Sequence, residues 1–225
     1  MELFNQYKRN KRPVVICIHG FGRRKTVEYD NLLKAICHDY DVVLPELFDQ
    51  RRADDIHWFN WVSRAEEKII ECKNRKREIV LIGFSMGGVI ASYLASKFNI
   101  KRLILLAPAF EYLNLTTVKG QFKPKKSDPN DDRFIPLPST YYGPFMDVVN
   151  NCKESISSVK CPVLFIHCMG DEMIPYSLSL KNFEKVPHDD KNCVILAKGQ
   201  HRILDDEGVK DIAIELIKNE LKKAC

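Results

Sequence analysis

The sequence predicts an α/β fold in which a mostly parallel six-stranded sheet carries helices on both faces. Short, β-branched apolar segments recur along the chain, and amphipathic helical segments separate them. Strands that are buried on both faces are continuous apolar runs, and strands that alternate with helices pair in parallel as βαβ units. With 225 residues, of which 45% are hydrophobic, the chain can bury one sizeable core, so we expect a single domain over residues 1–225.

The predicted elements alternate regularly along most of the chain. Six apolar segments form the predicted strands, at 13–18, 41–44, 78–84, 102–107, 162–167 and 193–196. Helical patterns lie at 26–38, 58–73, 86–98, 177–186 and 207–222. After the fourth strand, residues 110–144 lack periodicity and are rich in Pro, Asp and Lys. We therefore expect a short lid-like insertion at about 110–150, which projects from the carboxyl edge of the sheet, where ligands bind in open α/β folds.

Composition excludes several classes of protein. The formal net charge of +5 is spread over short clusters, none of which is a long basic run interleaved with aromatics, so we predict no nucleic-acid partner. No segment approaches the roughly 18 apolar residues of a membrane span, and the N-terminus lacks the apolar core of a signal peptide. We therefore expect a cytoplasmic protein. The eight cysteines are scattered and form no CxxC pair, which favours buried, reduced thiols over disulfides or a zinc site.

Residues 83–88 (GFSMGG) lie where a predicted strand meets a predicted helix. A serine at such a sharp turn is presented at the sheet edge, and small residues on both sides leave room for the backbone to fold back. The helix that begins after Ser85 points its positive end at the site and favours a developing negative charge. We predict Ser85 as a nucleophile; the alternative is a helix N-cap serine beside packing glycines.

A serine hydroxyl needs a base to act as a nucleophile. We predict His201 in this role, because it follows the last predicted strand and a loop there brings an imidazole to the sheet edge. His19 opens a glycine loop and is expected to shape the backbone, whereas His167 ends the fifth strand and is expected to be a hydrogen-bonded structural histidine. Surface positions are expected for the other three, His38, His57 and His188.

The base in turn needs an acceptor that fixes its tautomer. Asp171 follows the fifth strand, directly after its strand-end glycine, and is the predicted acceptor. Its neighbour Glu172 could serve instead, as could Asp205 or Asp206 just beyond the histidine. We expect these other carboxylates to face solvent or to cap helices.

An oxyanion hole should accompany such a triad, because stabilising the charge of the tetrahedral intermediate is usually the largest catalytic contribution. The residue after the nucleophile, Met86, is predicted to provide one backbone N–H. The loop after the first strand, residues 19–22 (HGFG), is predicted to provide the second through Phe21. The alternative for HGFG is a simple glycine turn.

Together these motifs, with HCMGDEMIP at 167–175 and GQH at 199–201, resemble the α/β-hydrolase superfamily, in particular small carboxylesterases and monoacylglycerol-lipase-like serine hydrolases. The chain order Ser, Asp, His is also the order in that superfamily. The resemblance spans nearly the whole chain. It implies a serine hydrolase that cleaves small to medium carboxylic esters through an acyl-enzyme on Ser85, without metal or cofactor.

The chain departs from the family pattern in two ways that bear on substrate. Only about a dozen residues precede the first predicted strand, so we expect the two N-terminal strands common in the family to be absent. The insertion is short for a lid, which argues against long-chain lipase activity. Aromatic and methionine side chains in it could line a modest acyl pocket or anchor the loop to the core: Tyr112, Phe122, Tyr141, Tyr142, Phe145 and Met146.

Three alternatives to an ester hydrolase follow from the same residues. A thioesterase and an amidase or peptidase would carry the same triad and differ only in the pocket and the leaving-group site. A non-catalytic binding protein of the same fold is the alternative from another class. A missing triad member would favour that last alternative, and none is missing in this sequence.

Overall fold

The computed structural model describes residues 12–22, 27–49, 51–52, 54–111 and 139–225. The six-stranded sheet is present and every strand pair in it is parallel, in the order β2-β1-β3-β4-β5-β6. Its strands are β1 (Val14–Ile18), β2 (Val42–Val43), β3 (Ile79–Phe84), β4 (Arg102–Leu106), β5 (Val163–Cys168) and β6 (Lys191–Leu196).

The four inner strands are buried along their whole length, which is why they appear in the sequence as unbroken apolar runs. The two edge strands differ. β2 has only two residues, both half-buried, and β6 is partly exposed over most of its length. β6 begins at Lys191, two residues before the predicted start, because polar side chains are tolerated on the solvent side of an edge strand.

Helices cover both faces of the sheet, as predicted. They are α1 (Asp30–Ile36), α2 (Trp58–Asn74), α3 (Met86–Lys97), α4 (Tyr142–Cys152), α5 (Tyr176–Glu184) and α6 (Lys210–Lys223). Along β1, Ile16 and Ile18 face the core layer under α2 to α5, whereas Val15 and Cys17 face the layer under α1 and α6. The side chains of each strand therefore supply two separate cores, and the carboxyl ends of the strands meet at one edge.

Helix α4 was not predicted. It occupies the carboxyl-terminal part of the segment that was predicted as a lid-like insertion. It packs against α2 and α3 as a crossover helix between β4 and β5. Gly143 and Pro144 in its first turn break the helical pattern in the sequence, although proline is tolerated there because first-turn N–H groups have no partner within the helix. The rest of the predicted insertion, residues 112–138, lies outside the described residues.

The cysteines are all free thiols, and five of them are buried: Cys17, Cys72, Cys152, Cys161 and Cys168. The expectation that all eight are buried is wrong for Cys37 and Cys225, which are exposed. Within the described ranges, no three His, Cys, Asp or Glu side chains gather as the ligands of a metal ion would. None of the helices in those ranges has the length and apolar composition needed to cross a membrane.

Candidate active site

Ser85 occupies a strained turn between β3 and α3. Its φ of 53° and ψ of −120° lie in a region that non-glycine residues rarely adopt, at a cost of about 1–3 kcal/mol. Surrounding backbone holds it there: its N–H donates to the carbonyl of Leu106 at 2.9 Å, and its carbonyl accepts from the N–H groups of Gly88 and Ala109 at 2.9 and 3.1 Å. The turn is thus tied to the end of β4 and raises the hydroxyl at the carboxyl edge of the sheet.

The glycines on either side of Ser85 allow this turn by permitting close backbone contact. A Cβ on Gly83 would lie 2.4 Å from the carbonyl oxygen of Gly87, and a Cβ on Gly87 would lie 2.0 Å from the carbonyl oxygen of Ile18. Side-chain atoms do not approach carbonyl oxygens so closely. Helix α3 can therefore start directly over β1 and β3 only with glycine at both positions.

The structure brings together the three side chains that the sequence predicts as a triad. Nε2 of His201 is 3.1 Å from Oγ of Ser85, and Nδ1 of His201 is 2.8 Å from Oδ2 of Asp171. A carboxylate only accepts hydrogen bonds, so Nδ1 carries the proton, and Nε2 is left to accept the proton of the serine hydroxyl. All three side chains are buried, and the ring of Phe84 lies against the imidazole with centroids 5.0 Å apart.

The carboxylate of Asp171 is fully buried and is bound on both oxygens. Oδ1 accepts the backbone N–H groups of Met173 and Ile174, each at 2.8 Å. Oδ2 contacts Nδ1 of His201 and also Nε2 of His167, at 2.8 and 2.9 Å. Burial by itself raises the pKa of this carboxyl, but the hydrogen bonds from the two imidazoles, the charge of His201 and the Ile174 amide outweigh it and hold the pKa well below its usual range.

Two of the alternative carboxylates, Glu172 and Asp206, bind the backbone of the loop that follows β6 and carries His201 (residues 197–209, the histidine loop). Oε2 of Glu172 accepts the backbone N–H of His201 at 3.0 Å. Asp206 accepts the N–H of Gln200 at 2.9 Å through Oδ2 and that of Gly208 at 2.8 Å through Oδ1. They support the loop from which the imidazole extends, whereas Asp171 contacts the imidazole itself.

The loop that follows β1 is held by two hydrogen bonds at Gly20. The ring of His19 is buried, and its Nε2 accepts the backbone N–H of Leu47 at 3.1 Å, so Nδ1 of the neutral ring carries the proton. That Nδ1 donates to the carbonyl of Gly20 at 2.8 Å. On the other side, the N–H of Gly20 donates to Oε2 of Glu28 at 2.8 Å. Both peptide groups that flank Gly20 are therefore fixed in orientation.

This loop lies directly against the nucleophile. A Cβ on Gly20 would be 3.2 Å from Cβ of Ser85. In a trans peptide the N–H points opposite to the carbonyl, so the N–H of Phe21 points away from the His19 ring that holds the carbonyl of Gly20. Met86 is the first residue of α3, and its N–H belongs to the helix end that favours negative charge.

Glu28 was missed by sequence reasoning. It lies on a short 3₁₀ turn (Val27–Tyr29) and is buried. A glutamate in a mixed polar segment carries no sequence signal of burial, and its contact with the loop after β1 follows only from how α1 packs. With residues from the histidine loop it also lines a recess of about 210 Å³, open to solvent: Glu28, Phe84, Arg202, Ile203, Leu204 and Asp205.

Two of the predicted pocket residues lie in the core. Tyr141 is fully buried, and its hydroxyl donates to the carbonyls of Asp49 and Arg52 at 2.8 and 2.6 Å. Phe145 is also fully buried and stacks on Phe21 with centroids 4.6 Å apart. These contacts favour the alternative in which Tyr141 and Phe145 anchor the segment to the core over the one in which they line a pocket.

The other predicted pocket residues differ in placement. Tyr142 and Met146 are partly buried and pack against the same core layer, and the ring of Tyr142 lies 5.5 Å from that of Phe21. They remain available for contact with a ligand. Tyr112 and Phe122 lie outside the described residues.

Comparison with known proteins shows which family and which folds the chain resembles. The model of the alpha/beta hydrolase family matches residues 15–213. A candidate esterase/lipase of Mycoplasma genitalium is 25% identical to the chain, over 91% of this chain and 86% of its own length. Two solved structures share the fold. One comes from work on LipS and LipT, two metagenome-derived lipolytic enzymes, with a TM-score of 0.81, 17% identity and 95% of both chains covered. The other is a monoacylglycerol lipase of Paleococcus ferrophilus, with a TM-score of 0.75 and 16% identity. The match covers 95% of this chain and 96% of the lipase chain.

Proposed function

The chain belongs to the alpha/beta hydrolase family, and from this premise we propose that it hydrolyses small to medium carboxylic esters through an acyl-enzyme on Ser85. The observation that carries the proposal is the unbroken series of contacts from Oγ of Ser85 through the imidazole of His201 to the carboxylate of Asp171. Similarity to proteins named as esterases and lipases supports an ester as substrate.

Acylation begins at the serine hydroxyl. Oγ of Ser85 attacks the ester carbonyl carbon while its proton passes to Nε2 of His201, and the carbonyl electron pair moves onto oxygen. The tetrahedral intermediate then collapses, the carbon–oxygen bond to the alcohol breaks, and Nε2 returns its proton to the departing alkoxide. Alcohol leaves, and the acyl group stays on Ser85.

Deacylation repeats these steps with water. Nε2 of His201 takes a proton from a water molecule as the oxygen attacks the acyl carbon. Collapse of the second intermediate breaks the bond to Oγ, which recovers the proton from the imidazolium. Ester and water have then become acid and alcohol, and Ser85 is free again.

Asp171 stays ionised throughout this cycle. Its hydrogen bond to Nδ1 keeps the imidazole in the tautomer that leaves Nε2 free to accept a proton, and its charge stabilises the imidazolium. The four donors on its carboxylate support this role, because they favour the charged form even in a buried position.

The backbone N–H groups of Phe21 and Met86 stabilise the oxyanion. The close approach of Gly20 to Ser85 supports this assignment, as does the hydrogen bond that turns the Gly20 carbonyl toward His19. Donors fixed before the reaction stabilise the developing charge without reorganising.

A substrate of small to medium size is supported by how the aromatic side chains pack. Phe21 stacks on Phe145, and Tyr141 packs against Phe48 and Trp61. Because these rings are buried against one another, they leave little room for a long acyl chain between them. We assign the acyl contact to the partly buried Tyr142 and Met146.

A labelling experiment tests the proposal. A fluorophosphonate probe should modify wild-type protein at Ser85, and Ser85→Ala should lose both labelling and hydrolysis of p-nitrophenyl acetate and butyrate. Ser96→Ala is the matched control on the same helix and should behave as wild type. Within the described residues, the Ser96 hydroxyl donates to the carbonyl of Tyr93 and to no other group. Wild-type hydrolysis rates in Ser85→Ala would falsify the assignment.

A substrate panel separates the related activities. The same acyl group is offered as an ester, a thioester and an anilide, with acyl chains from two to twelve carbons. Fastest turnover of short to medium esters supports the proposal. Preference for the thioester or the anilide replaces it with one of those activities, and an absence of labelling and turnover in folded protein favours a binding protein.

A further inference from the structure

A second imidazole binds the carboxylate of Asp171. We propose that His167 is a positioning residue of the triad, which donates from Nε2 to Oδ2 of Asp171 and so fixes the carboxylate that orients His201. The inference rests on the proposed function for its kinetic consequences, while the hydrogen bond itself is open to a separate measurement.

The contacts of His167 define where its protons lie. The residue lies in β5 and is fully buried. Its Nε2 is 2.9 Å from Oδ2 of Asp171 and 3.0 Å from the carbonyl oxygen of Ile174. Both oxygens are acceptors only, so Nε2 must carry a proton. Nδ1 lies 2.7 Å from Oγ of Ser179, a buried hydroxyl on α5 that can donate to it. One neutral tautomer, whose single Nε2 proton is shared between the carbonyl of Ile174 and Oδ2 of Asp171, is therefore compatible with every contact of the ring.

His167 can act on the base His201 because both imidazoles contact the same oxygen of Asp171. Oδ2 of Asp171 is shared by Nε2 of His167 and Nδ1 of His201. A carboxylate oxygen that accepts two hydrogen bonds has its negative charge distributed over both, and it is a weaker acceptor for each of them. His167 thereby holds the carboxylate of Asp171 in place and weakens the hydrogen bond that this carboxylate accepts from Nδ1 of His201. Without that donor, Oδ2 would attract the His201 proton more strongly and the imidazolium would be favoured.

Other charged or titratable groups near this pair stay the same in all the variants below. In the described part of the chain they are Cys168, Glu172, Arg202, Asp205, Asp206 and Glu28, from β5, the two loops and the recess. A change caused by a substitution at position 167 is therefore assigned to the lost donor.

Two substitutions at position 167 form a matched pair. In His167→Gln the side-chain amide reaches as far as Nε2 and can still donate to Asp171. In His167→Asn the amide reaches only as far as Nδ1, so it keeps the contact with Ser179 and loses Asp171. Both variants are polar, and asparagine is one methylene smaller than glutamine, so the free energy of unfolding of each variant is measured beside its kinetics.

Steady-state kinetics on the ester that wild-type protein hydrolyses fastest distinguish a positioning role of His167 from a purely structural one. We expect His167→Asn to lower kcat roughly tenfold, as for one lost hydrogen bond, with little change in KM. The acid limb of its kcat/KM profile should move to higher pH, because the carboxylate then stabilises the imidazolium more strongly. His167→Gln should recover most of both effects. Wild-type kcat and pH profile in a folded His167→Asn protein overturn the inference, as do equal losses in both variants that follow their thermal unfolding temperatures.

Nuclear magnetic resonance tests the hydrogen bond without any substrate. In wild-type protein labelled with nitrogen-15, the ring of His167 should be neutral with its proton on Nε2, and a proton on Nδ1 alone overturns the inference. The Nδ1 proton resonance of His201, which reports its hydrogen bond to Asp171, should shift in His167→Asn relative to wild type. If the wild-type protein hydrolyses nothing, the proposed function fails while these spectra still decide the role of His167.

Discussion

Glu28 and Gly20 are joined by a hydrogen bond of 2.8 Å between a buried carboxylate oxygen and a backbone N–H beside the nucleophile. The carbonyl of the same Gly20 is held by Nδ1 of His19. The loop proposed to stabilise the oxyanion is thus restrained from both sides, by an imidazole on one and a carboxylate on the other. A rigid donor is worth more to catalysis than a mobile one, because no reorganisation is needed when charge develops.

Glu28→Ala should therefore impair catalysis more than binding. The loop keeps its contact with His19 but loses the acceptor for the Gly20 N–H, so we expect kcat to fall roughly tenfold, as for one lost hydrogen bond to a charged group. Glu28→Gln is the control, since its amide oxygen still accepts from Gly20. Steady-state kinetics on a p-nitrophenyl ester measure both variants. Equal kcat in Glu28→Ala and wild type would show that His19 alone is sufficient to hold the loop.

Gly87→Ala should destabilise the whole domain. The added methyl group would lie 2.0 Å from the carbonyl oxygen of Ile18, so β1 and α3 must separate, and overpacking of this kind costs about 3 kcal/mol or more. Gly143→Ala is the matched control, because nothing lies within 4 Å of the added atom and alanine favours the helix by up to about 1 kcal/mol. Urea denaturation followed by circular dichroism compares them. An unchanged midpoint in Gly87→Ala contradicts the close-approach argument.

The sheet and the triad were predictable because both depend on short stretches of sequence. Strands such as β3 and β5 are buried on both faces, so their apolar runs mark them directly. Ser85, Asp171 and His201 each follow such a strand, and the carboxyl ends of parallel strands meet at one edge. Their proximity in space therefore follows from topology alone.

What sequence reasoning missed depends on contacts between distant elements. The contact between His167 and Asp171 and the burial of Glu28 arise from side-chain packing that residue spacing does not encode. Helix α4 was hidden because glycine and proline in its first turn look like a loop. Because α4 packs on α2 and α3, Tyr141 and Phe145 lie in the core layer that the three helices share. This placement favours the anchoring role among the two alternatives that the sequence left open.

Arg102 should contribute to stability without affecting catalysis. It starts β4 at the amino edge of the sheet, opposite the site. Its guanidinium binds the buried carboxylate of Glu220 and, at 2.8 Å, the exposed carboxylate of Asp190. Arg102→Met should destabilise the protein by about 3 kcal/mol or more, because it leaves a buried carboxylate without its main partner.

The neighbouring Lys101 provides the control for Arg102. It pairs at 3.0 Å with Glu78, and both side chains are exposed, so Lys101→Met should cost less than about 1 kcal/mol. Thermal unfolding measures both variants, and ester hydrolysis at a temperature where each remains folded should match wild type. Equal small losses in the two variants would mean that Lys223, which also contacts Glu220, compensates fully for the arginine.

Asp171 should link stability to pH as well as serving catalysis. Its pKa is lowered in the folded protein, so the unfolded state binds a proton first as pH falls. The stabilisation is complete above the unfolded pKa of about 4 and is lost progressively at lower pH.

Asp171→Asn removes this dependence of stability on pH and presents an amide donor to two imidazole donors. The variant should therefore be less stable than wild type at pH 7, and its stability should fall less between pH 5 and pH 3. Its kcat should drop by about 10⁴-fold, because the imidazole is no longer held in the required tautomer. Denaturation midpoints across that pH range measure the first effect and ester hydrolysis the second. Parallel stability curves for the two proteins would show that the folded carboxylate does not keep its charge at low pH.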